Sequence, residues 1–106
     1  MSGYGRQAAR DERLVARDEV HHRTRGFGPD AQPLDLLIVN ISALGLMARC
    51  DTAFQPGDRI RLTLPTIGVV AAEVRWALGG RVGCQLDQPI ARSDYYDLLA
   101  AMVKGR

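Results

Sequence analysis

The segment Arg59-Ile60-Arg61-Leu62-Thr63-Leu64 alternates polar and apolar side chains without a break, bounded by Pro56-Gly57 on one side and Pro65 on the other. Successive side chains of a strand point to opposite faces, so the pattern buries Ile60, Leu62 and Leu64 and leaves Arg59, Arg61 and Thr63 in solvent. It specifies a half-buried antiparallel strand. The same period recurs along the chain. Val70, Ala72, Val74 and Trp76 share a face, and Gly79-Gly80 supplies a two-residue hairpin that returns the chain through Val82, Cys84 and Leu86. Upstream, Val20, His22 and Thr24 oppose Glu19, His21, Arg23 and Arg25, while Leu46, Ala48 and Cys50 alternate with Met47 and Arg49. Turn residues at Gly26-Phe27-Gly28-Pro29-Asp30 and at Asp51 to Gly57 punctuate these runs. Short strands at this spacing, with no helix among them, predict a mainly β fold: an antiparallel barrel or sandwich of about six strands. By the same parity Trp76 is expected to point inward, where a large aromatic side chain gains most from burial.

The last element departs from the period of two. After Pro89, Ser93 is placed to cap a helix with Asp94 and Asp97 in its first turn, and Tyr95, Leu98, Leu99, Met102 and Val103 follow at helical spacing, with Gly105 past the end. A single helix of this length is not stable alone in water, so its apolar stripe is expected to cover a barrel opening.

At 106 residues the chain suffices for one domain with one modest core. The expected division is a flexible arm over residues 1–12, an arginine motif and barrel over 13–90, and the C-terminal helix over 91–106. No apolar run approaches the roughly 18 residues of a membrane span, and no signal-type segment opens the chain, which points to the cytoplasm. Cys50 and Cys84 lack a C-x-x-C context and continue the inward alternation of their strands, so both are expected as buried, reduced thiols. His21 and His22 are neighbours in a strand and face opposite ways, with no ligand cluster to complete a metal site.

Charge is distributed unevenly. Residues 1–25 hold six arginines against four acids, whereas residues 26–106 hold eight basic and eight acidic side chains. The excess positive charge therefore sits in the N-terminal segment, a placement suited to a small dianion met by the arm rather than to a polyanion tracking across the body.

Two short patterns stand within this framework. Arg13-Leu14-Val15-Ala16-Arg17 places two arginines four apart just before the first strand, and Asn40-Ile41-Ser42-Ala43-Leu44-Gly45 forms a corner between two apolar runs. If Asn40 and Ser42 are both extended they project from one face, and Gly45 is expected to take a backbone conformation costly for a residue with a Cβ. An Arg-x-x-x-Arg pair followed by an Asn/Asp-x-Ser-x-x-Gly corner resembles the PilZ domain family. The resemblance runs from about Arg10 to the C-terminus and extends to the Pro56-Gly57 turn, the Glu73-Val74-Arg75-Trp76 strand end and the Gly80-Arg81-Val82-Gly83 hairpin return. It implies a six-stranded antiparallel barrel that binds the bacterial second messenger cyclic di-GMP through the two motifs, with Arg13, Arg17, Asn40, Ser42 and Gly45 as the ligand-binding residues.

The chemistry of those residues suits such a ligand. Guanidinium groups can donate paired hydrogen bonds to a phosphate or to guanine O6 and N7, or stack on a base, and remain charged at physiological pH. Arg13 and Arg17 take those contacts by their match to the family's pair. Asn40 would meet a guanine edge or order the turn, Ser42 would add a hydroxyl contact, and Gly45 would keep the backbone clear. No nucleophile stands beside a base, no metal-ligand spacing occurs and no Gly-rich phosphate loop precedes a helix, so the expectation is a binding module without catalysis or cofactor. The partners implied are cyclic di-GMP and an unidentified effector protein, signalled through ordering of the N-terminal arm. A PilZ-like interaction module without ligand remains the alternative. A small nucleic-acid-binding barrel fits less well, because the body is charge-balanced and its strand surfaces lack interleaved aromatics.

Overall fold

The computed structural model describes residues 17–104. Arg13 and the arm over residues 1–12 lie outside the described residues. Six strands are followed by one helix: β1 (Asp18–Phe27), β2 (Pro33–Ile41), β3 (Gly45–Arg49), β4 (Arg59–Leu64), β5 (Gly68–Leu78), β6 (Arg81–Leu86) and α1 (Arg92–Lys104). Every paired strand is antiparallel, and the sheet closes into a barrel in the order β1-β2-β3-β6-β5-β4.

Alternation explains why the barrel fills. Ile60, Leu62 and Leu64 from β4 meet Leu34, Leu36 and Ile38 from β2, together with Leu46, Ala48, Val74 and Val82, in one buried cluster. Each such aliphatic side chain contributes on the order of 1.5 to 3 kcal/mol by leaving water. Cys50 and Cys84 belong to the same cluster as free thiols. The turns follow their residues. Asp58 N–H donates to Gln55 C=O at 3.0 Å around Pro56-Gly57, with Gly57 at φ 95°, which is a type II turn with its proline and glycine in the usual places. Gly79 and Gly80 both have positive φ, 62° and 79°, the backbone that a two-residue hairpin between twisted strands requires.

Three irregularities interrupt the ladders: between Glu19 and His22 in β1, between Ile38 and Asn40 in β2, and between Val74 and Trp76 in β5. The third overturns the inward placement of Trp76. Val74 faces Cys84 but Trp76 faces Gly83, so Arg75 is an extra residue and the parity of the strand flips beyond it. Ala77, opposite Val82, packs on the core instead, and Arg75 and Trp76 both lie on the outside, Trp76 42% exposed. A bulge re-aims side chains in this way wherever it inserts one residue.

The barrel closes incompletely between its first and fourth strands. β1 pairs with β4 only through Gly26 and Phe27, with Thr24 Oγ1 donating to Thr63 C=O beyond them. Among the described residues no strand pairs with the N-terminal half of β1 on that side, and α1 packs against β1 with Tyr95, Leu98 and Met102 buried in the barrel core. The helix thus covers the opening, as its stripe requires. Two details differ from the sequence pattern. Tyr95 N–H donates to Ala91 C=O at 2.8 Å, so the helix starts before Ser93, which lies inside the first turn and is not its cap. Val103 falls on the outer side, 58% exposed, because the stripe facing the barrel is narrow and ends with Met102.

Candidate functional site

β2 hands the chain to β3 through Ser42, Ala43 and Leu44, and the corner is held from every side. Ser42 N–H donates to Gly45 C=O at 2.8 Å, closing the loop. The Ser42 hydroxyl oxygen accepts from Leu44 N–H at 3.2 Å and Gly45 N–H at 3.3 Å, and its proton points to Gly45 C=O at 3.4 Å. Leu86 N–H and Ile90 N–H then bond the Leu44 and Ala43 carbonyls at 2.9 and 2.8 Å. Ser42 is 6% exposed, and its hydroxyl is engaged inside the corner. Ser42 lies beyond the end of β2, so it does not share an extended face with Asn40.

Gly45 has no positive φ, and the expected special backbone conformation is absent. Its lack of a side chain answers to a close approach: a Cβ on residue 45 would run into the carbonyl oxygen of Cys84 on β6. Gly83, two rungs along the same pair of strands, is cleared for a different reason, since the Trp76 indole lies in the space its side chain would fill. Both glycines belong to the β3–β6 pair, and the space beside each is taken, by the Cys84 carbonyl at one and the Trp76 ring at the other.

Over this pair of strands lies a cleft of about 530 Å³ whose walls include Arg17, Ser42, Leu44, Arg75, Trp76 and Gln85. Arg75 Nη1 donates to Gln85 Oε1 at 3.0 Å, which fixes both side chains while leaving further guanidinium N–H groups unassigned. Arg17 Nη1 donates to Asn40 Oδ1 at 3.2 Å, linking the end of the arginine motif to the corner. Among the described residues two guanidinium groups and no carboxylate line the cleft, so their field favours an anion. Ligand sites of 300 to 1,000 Å³ are typical for small molecules.

Among the sequence-predicted residues, Arg17, Ser42 and Gly45 line this cleft, Asn40 joins it through Arg17, and Arg13 lies outside the described residues. Arg75 and Gln85 were missed, and Trp76 was assigned to the core. The signal available for Trp76 and Arg75 was their adjacency to a strand end, and alternation already places Arg75 outside, but the inserted residue that turns Trp76 outward leaves no mark in the hydrophobic pattern.

Below the cleft, the Tyr95 hydroxyl donates toward Asp18 Oδ2 at 2.6 Å and stands 3.0 Å from Ile41 C=O. Burial first, then the Asp18 carboxylate, push the phenol above its ordinary range. Burial likewise pushes the Cys84 thiol up to about 12, with a smaller contribution from Cys50. A thiol so far from ionising is not a nucleophile at neutral pH. Among the described residues no group of three or more His, Cys, Asp or Glu is placed to hold a metal ion, and no helix is long and apolar enough to cross a membrane.

A family model for the PilZ domain matches residues 6–105. The chain belongs to the PilZ domain family. A solved structure described as the PilZ domain with c-di-GMP of YcgR from Escherichia coli superposes on this PilZ domain with a TM-score of 0.54 at 15% sequence identity, covering 85% of this chain and 88% of that one. At that identity the likeness shows a shared fold. No curated protein matches the sequence. The six-stranded barrel with one terminal helix is thus the PilZ architecture, as the two motifs implied.

Proposed function

We propose that this PilZ domain binds cyclic di-GMP in the cleft over β3 and β6. The observation that carries the reading is the composition of its wall: the guanidinium groups of Arg17 and Arg75 and the exposed indole of Trp76 stand around a concave surface to which no carboxylate of the described residues contributes. Cyclic di-GMP offers two phosphodiester charges and two guanines. Arg17, with Arg13 from the same motif, takes the phosphates or a guanine Hoogsteen edge. Trp76 presents a face on which a base can stack. Asn40 orients Arg17 and keeps its amide N–H groups for a guanine carbonyl, and Ser42 and Gly45 shape the corner that the ligand meets. The YcgR structure, whose description includes c-di-GMP, supports the same class of ligand.

The domain acts as a cytoplasmic bacterial receptor and not as an enzyme. Occupancy passes to an effector protein through ordering of the N-terminal arm over the nucleotide, a step motivated by the excess of arginine in residues 1–25. Titration of cyclic di-GMP into the purified protein, read by calorimetry and by the fluorescence of its single Trp, tests the reading, with GTP and cyclic GMP as controls. Saturable binding with a Kd below about 100 μM, some 5.5 kcal/mol, is expected for cyclic di-GMP alone. Absence of heat and of fluorescence change would leave the interaction-module reading in its place.

A further inference from the structure

Tyr95 of α1 hydrogen-bonds both chain segments that carry the ligand motifs. Its hydroxyl lies 2.6 Å from Asp18 Oδ2 and 3.0 Å from Ile41 C=O. Those two residues face each other across the β1–β2 ladder. Asp18 follows Arg17 directly, and Ile41 sits between Asn40 and Ser42. One phenol therefore pins the point where the arginine motif enters the barrel to the point where the corner leaves it.

The pin matters because other restraints there are weak. The N-terminal half of β1 has β2 on one side, where the ladder is irregular between Glu19 and His22, and no strand of the described residues on the other, since β4 reaches only Gly26 and Phe27. Arg17 itself lies outside the ladder and is exposed, and among the described residues its side chain bonds Asn40. The bond from the buried Tyr95 hydroxyl to the Asp18 carboxylate adds a short, charge-assisted restraint at this end of β1.

We infer that Tyr95 is a positioning residue of the ligand site: its hydroxyl fixes Arg17 against the Asn40 corner, and through it occupancy of the cleft is coupled to the anchoring of α1. The inference rests on the assignment of the cleft to cyclic di-GMP. Coupling of this kind is reciprocal. If the anchored helix favours the bound geometry of Arg17, bound ligand must favour the anchored helix to the same degree.

The test compares the wild-type protein with Tyr95→Phe, which removes only the hydroxyl, and with Leu98→Val, which trims the same buried helix face away from the two contacts. Calorimetric titration with cyclic di-GMP is paired with amide hydrogen exchange of α1 and of Asp18 and Ser42, with and without ligand. Tyr95→Phe is expected to weaken binding about three- to tenfold, the equivalent of one lost hydrogen bond, and to abolish the slowing of exchange that ligand produces at Leu98 to Met102. Leu98→Val is expected to lower the melting temperature at least as much while keeping both the affinity and the ligand-dependent slowing. Asp18→Asn, which retains an acceptor for the phenol, is expected to preserve the slowing, and Asp18→Ala to lose it. Equal affinity and equal slowing in wild type and Tyr95→Phe would overturn the inference while leaving the ligand assignment intact. If the wild type does not bind cyclic di-GMP, the ligand assignment fails, and the clamp is then judged without ligand: unchanged exchange of Asp18 and Ser42 in Tyr95→Phe would overturn it too.

Discussion

The indole of Trp76 occupies the space that a side chain on Gly83 would need, so that a Cβ at residue 83 would collide with its Nε1 and Cε2 atoms. The two residues sit opposite each other on β5 and β6 only because Arg75 is bulged out of the ladder. A side chain laid down against bare backbone has fewer orientations to choose from than one projecting into water, and here the orientation leaves part of the ring at the cleft wall. The bulge, the glycine and the tryptophan make one device.

Trp76→Ala is expected to weaken cyclic di-GMP binding by about 1 to 3 kcal/mol, the range for loss of one base stack. The melting temperature without ligand should move little, since the ring is nearly half exposed and lies outside the core cluster. Gly83→Ala should mimic the loss of affinity by lifting the indole while leaving its chemistry unchanged. Full affinity in both variants, read by calorimetry, would remove Trp76 from the site.

Arg17→Ala should lower affinity by about 1.5 to 3 kcal/mol, the value of charge-assisted hydrogen bonds, with the melting temperature unchanged because Arg17 is exposed and precedes β1. Leu62→Ala should do the opposite. Its side chain is fully buried in the barrel, and the cavity should cost roughly 2 to 5 kcal/mol in urea unfolding. Arg75→Ala should resemble Arg17→Ala, and affinity in the parent should fall as salt rises, since screening weakens the attraction of both guanidinium groups for phosphate. A stability loss in Arg17→Ala equal to that of Leu62→Ala, with affinity intact, would make Arg17 a structural residue.

Stability should decline as pH rises past about 9. The Cys84 thiol is raised from 9.0 to about 12 by burial. Between those values the unfolded chain releases a proton that the folded chain retains, so alkali favours unfolding, by up to about 1.4 kcal/mol per pH unit for one such group. Tyr95, raised for the same first reason, acts in the same direction. Cys84→Ala should flatten the alkaline limb of a urea-midpoint series, and at pH 8 the native Cys84 should resist a thiol reagent that labels it at once in denaturant.

The barrel was legible in the sequence because a period of two with proline and glycine punctuation admits few other folds, and the residues from Arg59 to Leu64 lie as their alternation requires. The site was legible only where it coincides with local sequence. Arg17, Ser42 and Gly45 do line one cleft, but the reasons differ from those the sequence offered: Ser42 is engaged within its corner and Gly45 is shaped by a strand beside it. Trp76 was misplaced because a one-residue bulge inverts every later side chain in its strand, and the energetics that choose the bulge, a flat indole over Gly83, belong to a pairing between strands. The start of α1 was misread by the same kind of cause. Ser93 has the right chemistry for a cap, yet the Ala91 carbonyl is already accepting from Tyr95, since docking of Tyr95 beneath β1 sets where the helix begins.

Gly45→Ala separates the two explanations for that glycine. Its φ is unremarkable, so alanine has no backbone objection to the position, and a purely conformational role predicts a change of under about 1 kcal/mol, in the stabilising direction if anything. The neighbouring strand predicts otherwise. Gly45 pairs with Gln85, and its added methyl would press on the Cys84 carbonyl, backbone on a central strand that cannot turn aside as a side chain could. β3 and β6 must separate locally, at a cost of about 1 to 3 kcal/mol typical of overpacking, and the corner bonds from Gly45 to Ser42 must shift with them. The expected result is a lower urea midpoint together with weaker cyclic di-GMP binding, because the displaced strand carries the floor of the cleft. A more stable Gly45→Ala protein would show that the strands do not approach this closely in solution.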